Sequence, residues 1–157
     1  MKKEIERKFI VLDYSYQSMG EYEYCIQGYI PSENEPLIRI RTIGDKSFLT
    51  MKSAKTGITC FEYEYGIPNQ DAKDLLDLFC KKTIVEKNRY KIYHKSTLWE
   101  VDEFLGENKG LIVAEVELDT EDQVYDKPDW IGEEVSTNKK YYNYNLAHKP
   151  YRHWYKD

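Results

Sequence analysis

Seven short segments of this chain place charged or hydroxyl side chains on alternate positions. They are EIERKF (Glu4, Glu6, Lys8), LIRIR (Arg39, Arg41), FLTMK (Thr50, Lys52), FEYEY (Glu62, Glu64), VEKNRY (Lys87, Arg89), LWEVDEF (Glu100, Asp102) and VAEVEL (Glu115, Glu117). Residues two apart share a face on a strand and diverge on a helix, so the habit argues for strands. A single pair of this kind is an ordinary solvated sheet face. Repetition over seven segments asks for a shared environment. The stretch Leu111–Leu118 carries the most weight, because it is apolar almost throughout yet holds two carboxylates one pleat apart. Buried carboxylates without partners are costly, so a metal or cationic side chains must face them.

Alternation and turn signals predict strands at Glu4–Val11, Glu23–Ile30, Leu37–Thr42, Ser47–Ser53, Thr59–Tyr65, Thr83–His94, Thr97–Phe104 and Leu111–Leu118. Pro31 to Pro36, Gly44-Asp45, Lys55 to Gly57 and Gly106 to Gly110 punctuate them. Three stretches read as helical: Asn69–Lys81 with Asn69 as cap and Ala72, Leu75, Leu76 and Phe79 at helical spacing, Thr120–Asp126 before Pro128, and Asn138–His148. The fold class expected is α+β: an eight-stranded antiparallel barrel, closed on itself, with a few flanking helices. A length of 157 residues suits one domain, 1–157. Aromatic residues at 15%, tyrosine above all, fit a folded chain and not a disordered one.

Carboxylates concentrate in the first, fifth, seventh and eighth strands, and cations in the third, fourth and sixth, with Lys8 added. If these faces line one cavity, it has an acidic side for metal and a basic side for an anion. At an effective dielectric near 20, a charge pair ~4 Å apart is worth ~4 kcal/mol. Several such pairs suit a polyanion that brings its own divalent ion, as phosphate chains do. An apolar ligand in a lipocalin-like barrel does not fit a charged lining. A net charge of −5 argues against broad binding to nucleic acid or anionic membranes. Cys25, Cys60 and Cys80 form no CxxC and no even framework, so reduced thiols in a cytoplasmic protein are expected. The charged start MKKEIERKF lacks the apolar stretch of a signal peptide, and no apolar run approaches a membrane span of ~20 residues.

Taken in order, these segments resemble the CYTH superfamily, the triphosphate tunnel metalloenzymes. The ExExK signature is Glu4, Glu6 and Lys8. QGYI (Gln27, Tyr29), RIR, LTMK, FEYEY, EKNRY, WEVDEF, GLIVAEVEL and GEEVS at 132–136 follow. The resemblance implies an eight-stranded tunnel that binds a triphosphate with Mg²⁺ or Mn²⁺. Oxygen donors without paired His or Cys suit those hard cations over zinc. It is similar to short bacterial-type inorganic triphosphatases, which implies hydrolysis of tripolyphosphate to pyrophosphate and phosphate.

The resemblance also implies roles. Glu4, Glu6, Glu115 and Glu117 are the expected metal ligands. Glu62, Glu64 and Asp102 form a second tier whose competing role is salt bridging to tunnel cations, and Glu134 resembles a further acidic position. Lys8, Arg39, Arg41, Lys52, Lys87 and Arg89 are expected to grip phosphate oxygens, the arginines in bidentate fashion. Lys87 and Arg89 have a surface strand pair as their alternative. Relatives often carry Arg near Lys140, where this chain reads EVSTNKKYYN, so Lys140 is assigned to substrate with Lys139 as the competing neighbour. Lys8 with Tyr29 is the implied proton-accepting pair, against the alternatives of a packed tyrosine and of metal-bound water needing no protein base. A class IV adenylate cyclase, a thiamine triphosphatase and a noncatalytic polyphosphate binder are the competing functions. Outer sheet faces that support homodimers in some relatives make a homodimer a further expectation. The aromatic and basic KPYRHWYKD end reads as a packed or frayed tail, with a lid or partner patch as the alternative.

Overall fold

The computed structural model describes residues 1–156. Its strands are β1 (Lys3–Val11), β2 (Tyr22–Ile30), β3 (Leu37–Ile43), β4 (Lys46–Lys52), β5 (Thr59–Ile67), β6 (Val85–His94), β7 (Thr97–Phe104), β8 (Ile112–Leu118) and β9 (Ile131–Glu134). Every pairing between them is antiparallel, and the order around the wall is β5-β4-β3-β2-β6-β7-β8-β1. A pairing of β1 with β5, Glu4 opposite Cys60, closes the eight strands into a barrel. Closure joins the two end strands of the sheet over three residues and leaves the far edge of β1 free for another partner.

β9 is a short ninth strand outside the eight expected. It pairs with the far end of β1, Phe9 opposite Glu134 and Val11 opposite Ile131, on the edge that β5 uses near Lys3 to Ile5. Four residues containing a glycine and two glutamates, IGEE, give no alternation to find it by.

Apolar side chains of the wall mostly point outward, and the hydrophobic core lies between the barrel and what wraps it. Phe9, Tyr90, Trp99, Val101, Ala114 and Val116 meet Tyr16, Trp130 and Ile131 there. Residues 120–126 cross this face without forming the expected helix. Their polar groups serve the wall instead. Trp99 Nε1 donates to the Asp126 carbonyl (3.0 Å), the Asp126 amide donates to Thr97 Oγ1 (3.1 Å), and Gln123 Oε1 accepts from the Asp119 amide (2.6 Å).

Helix α1 (Asn69–Phe79) packs Ala72 and Leu76 over Ile40 and Cys80 on the outside of β2 to β4. Gly28 permits the approach, since a Cβ there would stand 2.5 Å from Cys80 Cβ. The cap position belongs to Pro68 and not Asn69. Asn69 instead ties the helix to the β3–β4 turn, donating to the Asp45 carbonyl (3.0 Å) and accepting from Ser47 Oγ (2.8 Å).

The last expected helix is broken. A 3-10 turn at Lys139–Tyr141 precedes α2 (Asn143–His148), with Tyr142 extended between them. Leu146 plugs one end of the barrel against Val85, Phe104, Leu111 and Val113, and Tyr141, Tyr151 and Trp154 complete the plug. The KPYRHWYKD segment is therefore packed through Trp154; its final residue, Asp157, lies outside the described residues. No described helix is long and apolar enough to cross a membrane.

Candidate active site

The alternate faces identified in the sequence converge. Glu4, Glu6, Lys8, Tyr29, Arg39, Arg41, Lys52, Glu62, Glu64, Lys87, Arg89, Glu100, Glu115 and Glu117 line one cavity of about 890 Å³. Strand order sorts them by sign. The acidic strands β7, β8, β1 and β5 are consecutive around the wall, and so are the cationic β4, β3, β2 and β6, where β2 contributes neutral Gln27 and Tyr29. The lining therefore has an acidic arc and a basic arc, with Lys8 as the cation on the acidic one.

At the two seams between arcs the charges neutralise each other. Across β6 and β7, Asp102 is 0% exposed and accepts from Arg89 Nε (2.7 Å), Arg89 Nη2 (2.8 Å) and Lys87 Nζ (2.8 Å). Burial would raise the Asp102 carboxyl, but Arg89 and Lys87 outweigh it and hold it below its ordinary range. Asp102 is thus sealed behind the two cations and does not line the cavity, which places it in the salt-bridging role and not among exposed metal ligands. Lys87 and Arg89 are buried (1% and 8%) and are no surface pair. Glu100, left out of the expected ligands, lines the cavity in Asp102's stead and accepts from Arg89 Nη1 (3.2 Å).

The second seam joins β4, β5 and β1. Lys52 Nζ lies 2.8 Å from Glu4 and 3.0 Å from Glu62. Glu64 accepts from Thr50 Oγ1 (3.0 Å), Arg41 (3.2 Å) and Arg39 (3.4 Å). Glu62 and Glu64 thus also salt-bridge tunnel cations. Burial would lower Lys52, as would Arg39, but Glu6, Glu4 and Glu62 prevail and hold its ammonium well above its usual range.

Away from the seams the charges are under-compensated. In the basic arc, Arg39 Nε and Arg41 Nε are buried and make no hydrogen bond. Burial and the neighbouring Arg39 and Arg89 lower the Arg41 guanidinium. Orphaned buried donors on adjacent cations await an anion. In the acidic arc, Glu6 sits opposite Glu117 in the β1–β8 register, and Lys8 opposite Glu115. Burial, reinforced by Glu115 and Glu4, raises Glu6; burial and a hydrogen bond shared with Glu62 raise Glu4. Glu117 is the most exposed of the set, yet desolvation and then Glu4, Glu6, Glu62 and Glu100 push it up to about 7. Glu115 differs from its neighbours. Burial would raise it, but Lys8 and Arg89, each 3.4 Å away, help hold it well below the carboxylate range.

Mutually repelling carboxylates facing arginines with unpartnered Nε donors fit a divalent ion arriving with an anion. Among the described residues no three His, Cys, Asp or Glu side chains form a preformed metal cage.

The two residues implied as a proton-accepting pair are each engaged elsewhere. Lys8 Nζ donates to the Tyr141 carbonyl (3.0 Å) and faces Glu115, while the Tyr29 hydroxyl accepts from Gln27 Nε2 (2.9 Å). Burial raises the Tyr29 phenol, which keeps its proton available for donation. Lys140 turns away from the cavity, its Nζ 5.5 Å from the Trp154 ring, and Lys139 lines the cavity in its place. The 3-10 turn, with Asn138 Oδ1 accepting from the Lys140 amide, decides between the two neighbours. Glu134 lies on the outside of β1, bound to Arg7 (2.9 Å) and Ser136 (2.7 Å). Sequence reasoning also passed over Lys55, whose Nζ stands 3.5 Å from Glu6. It lies in a turn, where no strand period marks it.

Comparison with known proteins agrees with this geometry. A family model for the CYTH domain matches residues 2–151. An inorganic triphosphatase of Acetivibrio thermocellus is 47% identical, over 98% of this chain and 99% of its own. An inorganic triphosphatase of Nitrosomonas europaea is 34% identical, over 92% and 96%. The crystal structure of an inorganic triphosphatase superposes with a TM-score of 0.67 at 35% identity, over 94% of this chain and 95% of that one. Tunnel enzymes of this kind are metal-dependent. With its closed barrel, its sign-sorted lumen and a match over nearly its whole length, the chain belongs to the CYTH domain family.

Proposed function

We propose that this chain is a metal-dependent inorganic triphosphatase, one tunnel domain over 1–157, that cleaves the terminal phosphate of tripolyphosphate and releases pyrophosphate and phosphate. The observation that carries the reading is the pair of buried arcs. Two buried guanidinium groups with unpartnered Nε donors face a cluster of repelling carboxylates inside one cavity, and the full-length relatives are named inorganic triphosphatases.

Arg39 and Arg41 take phosphate oxygens with the donors they do not spend on Glu64. Lys52, Lys87 and Arg89 add fixed positive charge, held at the wall by Glu4, Glu62 and Asp102. Lys8 anchors the chain end nearest Glu115, and the Tyr29 hydroxyl donates a hydrogen bond to a phosphate oxygen. Lys139, at the mouth, takes the role assigned to Lys140 from the resemblance. Glu4, Glu6 and Glu117 would hold Mg²⁺ or Mn²⁺, and Glu115 orients Lys8 and Arg89 beside them. A divalent ion bound there would supply charge neutralisation and Lewis-acid activation of water. The side chains supply positioning and a preorganised field, which is most of what phosphoryl transfer needs. We place the protein in the cytoplasm, where its three buried thiols stay reduced, without nucleic-acid or membrane partners. A homodimer over an outer sheet face is compatible with this reading.

The deciding experiment offers tripolyphosphate, ATP and thiamine triphosphate with Mg²⁺ or Mn²⁺ and identifies products. Phosphate and pyrophosphate from tripolyphosphate, at the highest kcat/KM of the three, is the expected result. Cyclic AMP from ATP, preferred turnover of thiamine triphosphate, or binding without turnover would each replace it.

A further inference from the structure

Lys55 belongs to the β4–β5 connection, residues 53–58, and not to a strand. Reciprocal bonds between Thr56 and Thr59 (2.8 and 3.1 Å) and one from the Ser53 amide to the Phe61 carbonyl (3.0 Å) hold that turn. Gly57 takes φ +63°, a conformation that other residues adopt with strain, and the space beside it is open. The turn carries Lys55 over the cavity mouth, and its side chain is only 20% exposed. Its Nζ stands 3.5 Å from Glu6 Oε1 and 4.9 Å from the centroid of the Tyr142 ring.

The other cations near the acidic arc are engaged more closely. Lys52 bridges Glu4 and Glu62, and Lys8 serves Glu115 and the Tyr141 carbonyl. Charge-assisted hydrogen bonds run at about 2.7–2.9 Å, so the contact of Lys55 with Glu6 is a loose one. Glu6 has no other ion-pair partner among the described residues. Lys55 is thus the cation most easily redirected, on a flexible four-carbon stem whose three donors can follow an anion.

We infer that Lys55 is a substrate-positioning residue that rests on Glu6 and the Tyr142 ring in the empty tunnel and moves onto a phosphate of the bound chain once a divalent ion takes Glu6. The reason is electrostatic. A cation on Glu6 repels the ammonium that sat there, and the nearest uncompensated negative charge is then the phosphate chain. The exchange makes metal and substrate assist each other. The inference rests on the triphosphatase reading for its substrate, and its test separates the two.

The test compares wild type, Lys55→Gln and Lys55→Arg by calorimetry and kinetics. Three titrations are made: Mn²⁺ alone, tripolyphosphate alone in chelator, and tripolyphosphate with Mn²⁺. In Lys55→Gln, affinity for Mn²⁺ alone is expected to stay or rise about threefold, because a competing cation has left Glu6. Affinity for tripolyphosphate with Mn²⁺ should fall about tenfold, and by less without the metal. KM should rise with a smaller change in kcat, and Lys55→Arg should restore most of it. Unchanged tripolyphosphate affinity in Lys55→Gln, or an equal loss with and without metal, overturns the inference. So does weakened binding of Mn²⁺ alone. If wild type binds tripolyphosphate but does not cleave it, the triphosphatase reading fails while the binding arms still decide the role of Lys55.

Discussion

The β6–β7 seam and the β8–β1 face of the same tunnel are both built from buried charge, and they treat it in opposite ways. At the seam, one carboxylate with no exposure, Asp102, answers two cations with bonds of 2.7–2.8 Å. On the acidic face, Glu6 and Glu117 stand opposite each other, and Lys55, 3.5 Å from Glu6, is the one ion-pair partner of either among the described residues. Removing charges from water costs several kcal/mol per ion unless geometry repays it. The seam repays it internally and behaves as scaffold. The acidic face leaves the debt for a ligand, and so do the unpartnered Nε groups of Arg39 and Arg41 across the lumen. Within one tunnel, completeness of compensation separates what holds the barrel from what binds in it.

Replacing Asp102 with Ala should break that contrast most severely. It removes the main partner of two buried cations, and the loss of stability expected is about 3–5 kcal/mol in equilibrium denaturant unfolding. An unchanged midpoint would remove the seam from the scaffold. Glu117→Gln should do the reverse. Metal-dependent turnover should drop at least a hundredfold, about 2.7 kcal/mol of barrier, while the metal-free melting temperature holds or rises, because a repelling charge has gone. Retained turnover would take Glu117 out of the metal site.

Arg41→Ala should weaken tripolyphosphate binding by about ten- to a hundredfold, as expected for a charged hydrogen-bond donor. Its melting temperature should change little. Full affinity by calorimetry would assign Arg41 to the wall alone.

A smaller effect follows from the pH dependence of the two regions. Glu117 is raised to about 7, and Glu4 and Glu6 are raised as well. A free glutamate titrates near 4.3, so between about 4.3 and 7 the folded state binds the extra proton. These carboxyls therefore stabilise the metal-free protein at low pH, and the contribution of Glu117 is lost as pH rises to about 7. The metal-free melting temperature should be higher at pH 6 than at pH 8, and saturating Mg²⁺ should reduce or reverse the difference. Asp102 and Glu115, held low, contribute stability above the unfolded value and lose it only in acid. A metal-free melting temperature that rises steadily from pH 6 to 8 would contradict the assignment of the acidic arc. Least of all, Lys139→Ala should raise KM about threefold and Lys140→Ala should leave it unchanged, since one lines the mouth and the other lies on Trp154.

Much of this was legible before any coordinates. Glu4, Glu6 and Lys8, like Arg39 and Arg41, are two apart in β-rich surroundings, and period two on a strand determines which side chains travel together. Hence the eight wall strands and their inward residues follow from local pattern. Elements without a period did not follow. The IGEE strand pairs with the edge of β1 that β5 leaves free, and residues 120–126 form no helix, the Asp126 backbone bonding to Trp99 and Thr97 instead. The turn residue Lys55 and the choice of Lys139 over Lys140 depended on loop and 3-10 geometry that no pattern encodes.

The sequence by itself determined sign and face: which strands bring carboxylates, which bring cations, and that each presents them on one side. Only the tertiary structure decided what those charges are for. Strand order, β5-β4-β3-β2-β6-β7-β8-β1, gathers scattered acidic and basic segments into two arcs and sets Asp102 behind Lys87 and Arg89 while leaving Glu6 and Glu117 face to face. Facing is a local property of a pleated chain. Neutralisation is a property of neighbours, and neighbours across a barrel wall are chosen by how the chain closes.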